Sequence, residues 1–242
     1  MTALVSSELL KLRTTRTAFG FLVAVVLLTL GIGAAGFATL DVASEQDVKD
    51  TLSGAGVVSA LLLVLGSVAA TGEYRHGTIT SSLLVSPDRL RFLTSKLLAY
   101  LLTGAGLGLV AMAVTLAVGV PWLSARDQPV DLLGAGDYIS LIVQGVALAA
   151  LCGALGVAVG ALVRNQVAAV VGLLVYLFVL DPVLSLVSDD VAAYSPGGAI
   201  GGLGGNSPDY AIDPLPAGLV LLGWTLLLAG AAVLAERRRD VF

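Results

Sequence analysis

Few side chains in this sequence could do chemistry, and their spacing rules most of it out. The only histidine, His76, and the only cysteine, Cys152, lie far apart, so there is no H-E-x-x-H zinc site, no cysteine cluster and no disulfide framework. Cys152 sits in an apolar run, where a thiol packs as a small hydrophobe. The three lysines follow Leu10, Val48 and Ser95, which leaves no G-K pair and no Walker A loop to cradle nucleotide phosphates. The stretch YSPGGAIGGLGGNSPDY, Tyr194 to Tyr210, has the glycines of a phosphate loop but no basic residue, and is expected to be a turning, flexible or re-entrant loop. No catalytic, metal or cofactor residue is therefore expected in this chain. Energy for any uphill movement has to come from another polypeptide.

The elements that position these residues are membrane helices. Of 242 residues, 57% are hydrophobic and 12% charged, and the mean hydropathy is +0.96, far from the roughly one-quarter charged residues of soluble domains. Crossing ~30 Å of hydrocarbon takes about 20 helical residues. Charge-free runs of that length occur six times, at Ala18–Leu40, Gly54–Gly72, Leu97–Val120, Tyr138–Val163, Gln166–Val187 and Leu215–Ala235. In the fifth, Asp181 and Pro182 interrupt the run and are expected to break the helix near its end or leave it re-entrant. The first run is long and followed by a charged loop, which marks an anchor rather than a cleaved signal. The fold class is an all-α polytopic membrane protein.

The connections segregate by charge. Of the 13 basic residues, 11 lie before the first span, between spans two and three, between four and five, or after the sixth; only Lys49 and Arg126 fall in the other loops. Those other loops hold 12 of the 17 acids, from Asp41 to Asp213. The positive-inside rule then places both termini and the 73–96 connection in the cytoplasm and the acidic loops, including 188–214, outside.

The span interiors carry no ionisable group once Asp181 is assigned to the outer side, which argues against a proton- or ion-coupled carrier. Small residues form stripes instead. Gly104 and Gly108 make a GxxxG pair, and Gly145, Ala149, Gly153, Gly156 and Gly160 recur at helical spacing along the fourth span. Such stripes let helices approach closely in lipid, with packing inside the chain as the default and self-association as the alternative.

The connection GEYRHGTITSSLLVSPDRLRFLTSK, Gly72 to Lys96, is the long polar interruption in the first half. Gly77 permits a turn, and Thr78 to Val85 suits a helix of two turns with Ile79, Leu83 and Leu84 on one side. Ser86, Pro87 and Asp88 then make a helix start, with Leu90, Leu93 and Leu97 leading into the third span. The residues alone leave this apolar patch open to lipid headgroups or to a protein partner.

The order E-Y-R-x-G-T, L-L, S-P-x-R and K-L-L, carried by Glu73, Gly77, Thr78, Leu83, Leu84, Ser86, Pro87, Arg89 and Lys96 to Leu98, resembles the connection between spans two and three of type-2 ABC transporter permeases. Ser7 to Arg16 is similar to the amphipathic connecting segment before their first span, so the resemblance runs through essentially the whole chain. It implies the permease subunit of an ATP-driven exporter in a bacterial plasma membrane, paired with a second permease as a homo- or heterodimer. A cytoplasmic ABC ATPase would hold ATP and Mg, and nucleic acid would have no part. By the same resemblance, Gly77 to Val85 is the coupling helix, with Glu73 where it begins, Thr78, Ile79, Leu83 and Leu84 along it and Pro87 at the restart. His76 is then a polar residue of that interface. The implied layout is a connecting segment over 1–17, a membrane domain over 18–235 and a basic tail over 236–242. Another class of function consistent with the same patch is a non-transporting membrane subunit that anchors or regulates a cytoplasmic enzyme.

Overall fold

A computed structural model describes residues 2–14, 16–39, 44–53, 55–75, 89–126, 128, 130–205 and 212–238. The described residues contain helices and no strand. The elements are α1 (Thr2–Thr14), α2 (Arg16–Thr39), α3 (Glu45–Ser53), α4 (Ala55–Arg75), α5 (Arg89–Ser124), α6 (Ala135–Val163), α7 (Gln166–Val175), a π turn (Tyr176–Leu180), α8 (Asp181–Val187), α9 (Asp189–Ala193), α10 (Pro196–Gly204) and α11 (Pro214–Arg238). Six stretches are long and apolar enough to cross a membrane: Phe19–Phe37, Glu45–Arg75, Leu90–Ser124, Ala135–Val163, Gln166–Val187 and Pro214–Ala235. Each overlaps one of the six charge-free runs, the second, third and fourth extending beyond theirs into charged residues. α5, at 36 residues and 1.5 Å per residue, is about 54 Å long, so its first turns extend beyond the hydrocarbon.

α6 is the hub, packed against α4, α5 and α11, and its glycines make this possible. A Cβ on Gly153 would come 2.7 Å from the Tyr100 carbonyl oxygen, one on Gly160 2.7 Å from that of Ser67, and one on Gly156 would overlap the Leu63 carbonyl oxygen. Gly145 faces the Met112 thioether. The stripe is filled from within the chain, by backbone on two sides. Because 63 and 67 of α4 meet 156 and 160 of α6, those helices run parallel; 104 and 108 of α5 meet 149 and 145, so α5 and α6 run antiparallel.

Three sequence expectations change in the region after α6. Asp181 and Pro182 do not break the fifth span: helix runs from Gln166 to Val187, with one π turn in which the Asp181 N–H donates to the Tyr176 carbonyl. The wider turn takes up the proline's missing donor and ring bulk that an unbroken α-helix could not. Asp181 therefore lies inside a span rather than in the outer loop. The glycine-rich stretch is also not a loop throughout. Pro196–Gly204 is helical, with Gly198, Ala199, Ile200, Gly202, Leu203 and Gly204 buried. Ser195 caps it by accepting from the Gly198 N–H at 2.9 Å, and Gly205 ends it at φ 77°. Tertiary burial supplies what glycine lacks in helix propensity.

Candidate functional site

The last turn of α4 is Glu73-Tyr74-Arg75, and successive residues on a helix point about 100° apart. Each of the three therefore reaches a different neighbour. Arg75 donates to the Gln166 side chain of α7 at 3.0 Å. Tyr74 places its ring 5.6 Å from the guanidinium of Arg164. Arg164 is the one non-glycine residue with positive φ among those described, at 60°, a conformation that costs an L-residue about 1–2 kcal/mol. It closes α6 and lets Asn165 cap α7 by accepting from the Ala168 N–H at 3.0 Å.

Glu73 enters a four-charge set. Its Oε1 accepts from Lys96 Nζ of α5 at 3.0 Å and from Lys11 Nζ of α1 at 3.1 Å. Glu8 of α1 bridges the same two lysines, Oε2 to Lys96 at 3.0 Å and Oε1 to Lys11 at 2.5 Å. Lys96 also lies 3.5 Å from the Ala69 carbonyl of α4. With three acceptors for its three donors it is satisfied, and its side chain is only 4% exposed. Two carboxylates and two ammoniums make the set neutral, which is the condition for burying it.

α1 presents this set because it is amphipathic. Val5, Leu9 and Leu12 pack on the main core, Leu10 faces outward, and Glu8 and Lys11, three apart, share the remaining side. Burial would raise the Glu8 pKa; the charge of Lys96 and the hydrogen bonds from Lys11 and Lys96 outweigh it and hold the carboxyl below its ordinary value. Lys11 behaves as the mirror image. Burial would lower it, and the hydrogen bonds and charges of Glu8 and Glu73 raise it.

Of the residues singled out from sequence around this connection, Glu73 and Lys96 are brought into the set; Gly77, Thr78, Ile79, Leu83, Leu84 and Pro87 lie outside the described residues. Sequence reasoning missed that Lys96, and Glu8 and Lys11 of the connecting segment, pair with one another and with Glu73. The available signal was Lys96 itself, a lone charge at the head of a long apolar run.

A second polar group lies in α8 and the segment leading into α10. Asp181 Oδ1 accepts from Ser195 Oγ at 2.7 Å and from the Tyr176 hydroxyl at 3.3 Å. Its carboxylate lies over Gly197, where a Cβ would overlap it. Tyr176 and Ser195 also form part of the wall of a cavity of about 550 Å³ between the fourth, fifth and sixth spans, otherwise almost wholly apolar. Among the described residues no three His, Cys, Asp or Glu side chains are grouped to hold a metal ion.

Comparison with known proteins adds one finding to this geometry. A family model described as ABC-2 family transporter protein matches residues 4–180, from α1 through the π turn of the fifth span. No curated protein matches the chain.

Proposed function

We propose a function from one premise: the chain belongs to the ABC-2 transporter family. It is a membrane-spanning permease component of an ABC transporter, and permeases of this family are non-catalytic components that work with a partner ATPase. Beyond that, our reading is an exporter of the bacterial plasma membrane with both termini in the cytoplasm. Two permeases pair, and a separate cytoplasmic ATPase holds ATP and Mg and docks on the 76–88 connection through Ile79, Leu83 and Leu84.

The observation that carries this reading is the ion set at the end of α4. The 76–88 connection leaves α4 directly after Arg75 and returns into α5 at Arg89. Glu73 on the outgoing stem and Lys96 on the returning one are paired, and Glu8 and Lys11 tie both to α1. A force applied to the connection thus moves α1, α4 and α5 as one body, and α6, packed against α4 and α5, moves with them. Rigid movement of spans is what alternating access requires.

The test is Leu83→Asp. Burying a leucine in a partner groove is worth about 1.5–3 kcal/mol, and a carboxylate in that contact adds a desolvation cost. Expression and insertion should be near normal, ATPase co-purification at least tenfold weaker and transport lost. Full ATPase retention with full transport would show that this connection is not the coupling element. Retention without transport would favour a docked but non-transporting subunit.

A further inference from the structure

We propose that the cavity between the fourth, fifth and sixth spans binds a lipophilic cation, its apolar body among the aliphatic side chains and its positive charge towards Tyr176 and Ser195, behind which the Asp181 carboxylate lies. This deepens the transporter reading and rests on it for the ligand's role as substrate. The cavity, about 550 Å³, is walled by residues such as Leu63, Leu155, Leu173 and Leu228. Most of its wall comes from helices long and apolar enough to span a membrane.

Its polar end selects the charge. The two hydroxyls there, of Tyr176 and Ser195, both hydrogen-bond to Asp181 Oδ1, which orients the carboxylate behind them. Among the described residues no lysine or arginine pairs with Asp181, unlike Glu8 and Glu73 at the other polar site. A carboxylate inside a span calls for a positive partner. Tyr176, Tyr194 and Trp224 also line the cavity, and the Trp224 indole is fixed by donating to the Tyr194 carbonyl at 3.0 Å. Aromatic faces attract cations and repel anions. An anion would face the rings and, across the two hydroxyls, the carboxylate, and a neutral molecule would gain nothing from either. The match to the ABC-2 family ends at residue 180, one position before this aspartate.

The experiment uses the purified full chain in phosphatidylcholine nanodiscs without an ATPase. The probe is radiolabelled tetraphenylphosphonium, with tetraphenylborate as the anion of nearly equal size and shape. Saturable, displaceable binding of the cation alone is expected, at least tenfold weaker in Asp181→Asn. Gly172 lines the cavity, and a Cβ there meets no atom within 4 Å, so Gly172→Phe should fold, fill the space and weaken binding as much. It carries the test should Asp181→Asn fail to fold. Absence of saturable cation binding, equal binding of the borate, or unchanged affinity in Asp181→Asn or Gly172→Phe overturns the proposal. Because no ATPase is present, such a failure leaves the Leu83→Asp outcome untouched, and the two readings fail separately.

Discussion

The polar sites at the end of α4 and in α8 treat charge in opposite ways. At the end of α4, Glu8, Glu73, Lys11 and Lys96 neutralise one another, and both Glu8 and Lys96 are almost fully enclosed. In α8, Asp181 has two hydroxyls and no basic partner among the described residues, and it sits behind the wall of an open apolar space. A neutral set has no electrostatic reason to recruit a ligand, and its strength goes into holding three helices in register. A carboxylate held only by hydroxyls keeps an attraction for a cation in reserve. The contrast separates a set whose charges are answered within the chain from a carboxylate with no basic partner among the described residues.

The largest effect should follow from breaking the neutral set. Lys96→Met leaves Glu8 and Glu73 enclosed with Lys11 alone, and removing one partner of a buried ion pair costs about 3–5 kcal/mol. Asp181→Asn is the matched change at the other site. Asparagine keeps an oxygen to accept from Ser195 and Tyr176, so thermal stability should fall by less than about 1 kcal/mol. Thermal unfolding in one detergent, with Glu73→Gln added to Lys96→Met to restore neutrality, gives the comparison directly. Equal losses for Lys96→Met and Asp181→Asn would erase the distinction between the sites.

Much of this architecture was legible in the sequence, and the remainder was not for identifiable reasons. Six charge-free runs gave the spans, because in lipid a backbone without charged neighbours has little choice but helix. The α6 stripe pointed to close packing, since glycine at Gly153, Gly156 and Gly160 has no other evident use in a helix. The ion set was hidden because residues 8, 73 and 96 meet only after three helices assemble, and no local pattern encodes such a meeting. α10 was hidden because Pro196 to Gly204 has the composition of a loop, and its helix exists through burial that local propensity does not contain. Asp181 was assigned to the wrong side of a boundary because a π turn, which absorbs Pro182, leaves no distinct trace in composition.

A middle-sized effect tests the packing between the two sites. Gly156→Leu drives a branched side chain into the Leu63 carbonyl, so α4 and α6 have to separate; overpacking of this kind costs about 1–3 kcal/mol. Such a change should disturb both sites, lowering ATPase retention at one and cation affinity at the other. Gly172→Leu, with open space around the glycine, should alter only the cavity. Disulfide crosslinking between cysteines placed on α4 and α6 would report the separation. Undiminished crosslinking in Gly156→Leu would mean that the backbone contact is not what sets their spacing.

The smallest effect concerns protons, and its sign differs between the partners of the neutral set. Glu8 has its folded pKa below the ordinary 4.5. Its contribution is therefore present above that value and is lost as pH falls through the depressed one. Lys11 has its folded pKa above the ordinary 10.5, so its contribution is complete below that value and is lost as pH rises through the raised one. Between the two the set should be insensitive to pH, and stability across the neutral range should be flat as far as these two groups govern it. Glu8→Gln should lower that plateau and make the acid decline shallower, because a group that cannot take up a proton cannot lose its contribution to one. Lys11→Gln should alter the alkaline limb and leave the acid limb carried by Glu8. Lys11 is half exposed, with its side chain at 53%, so solvent screening keeps its share below that of Glu8. Unfolding temperatures measured from acid to alkaline pH for the three proteins decide the matter. An acid limb of unchanged steepness in Glu8→Gln would show that the set is held by packing of α1 rather than by its charges.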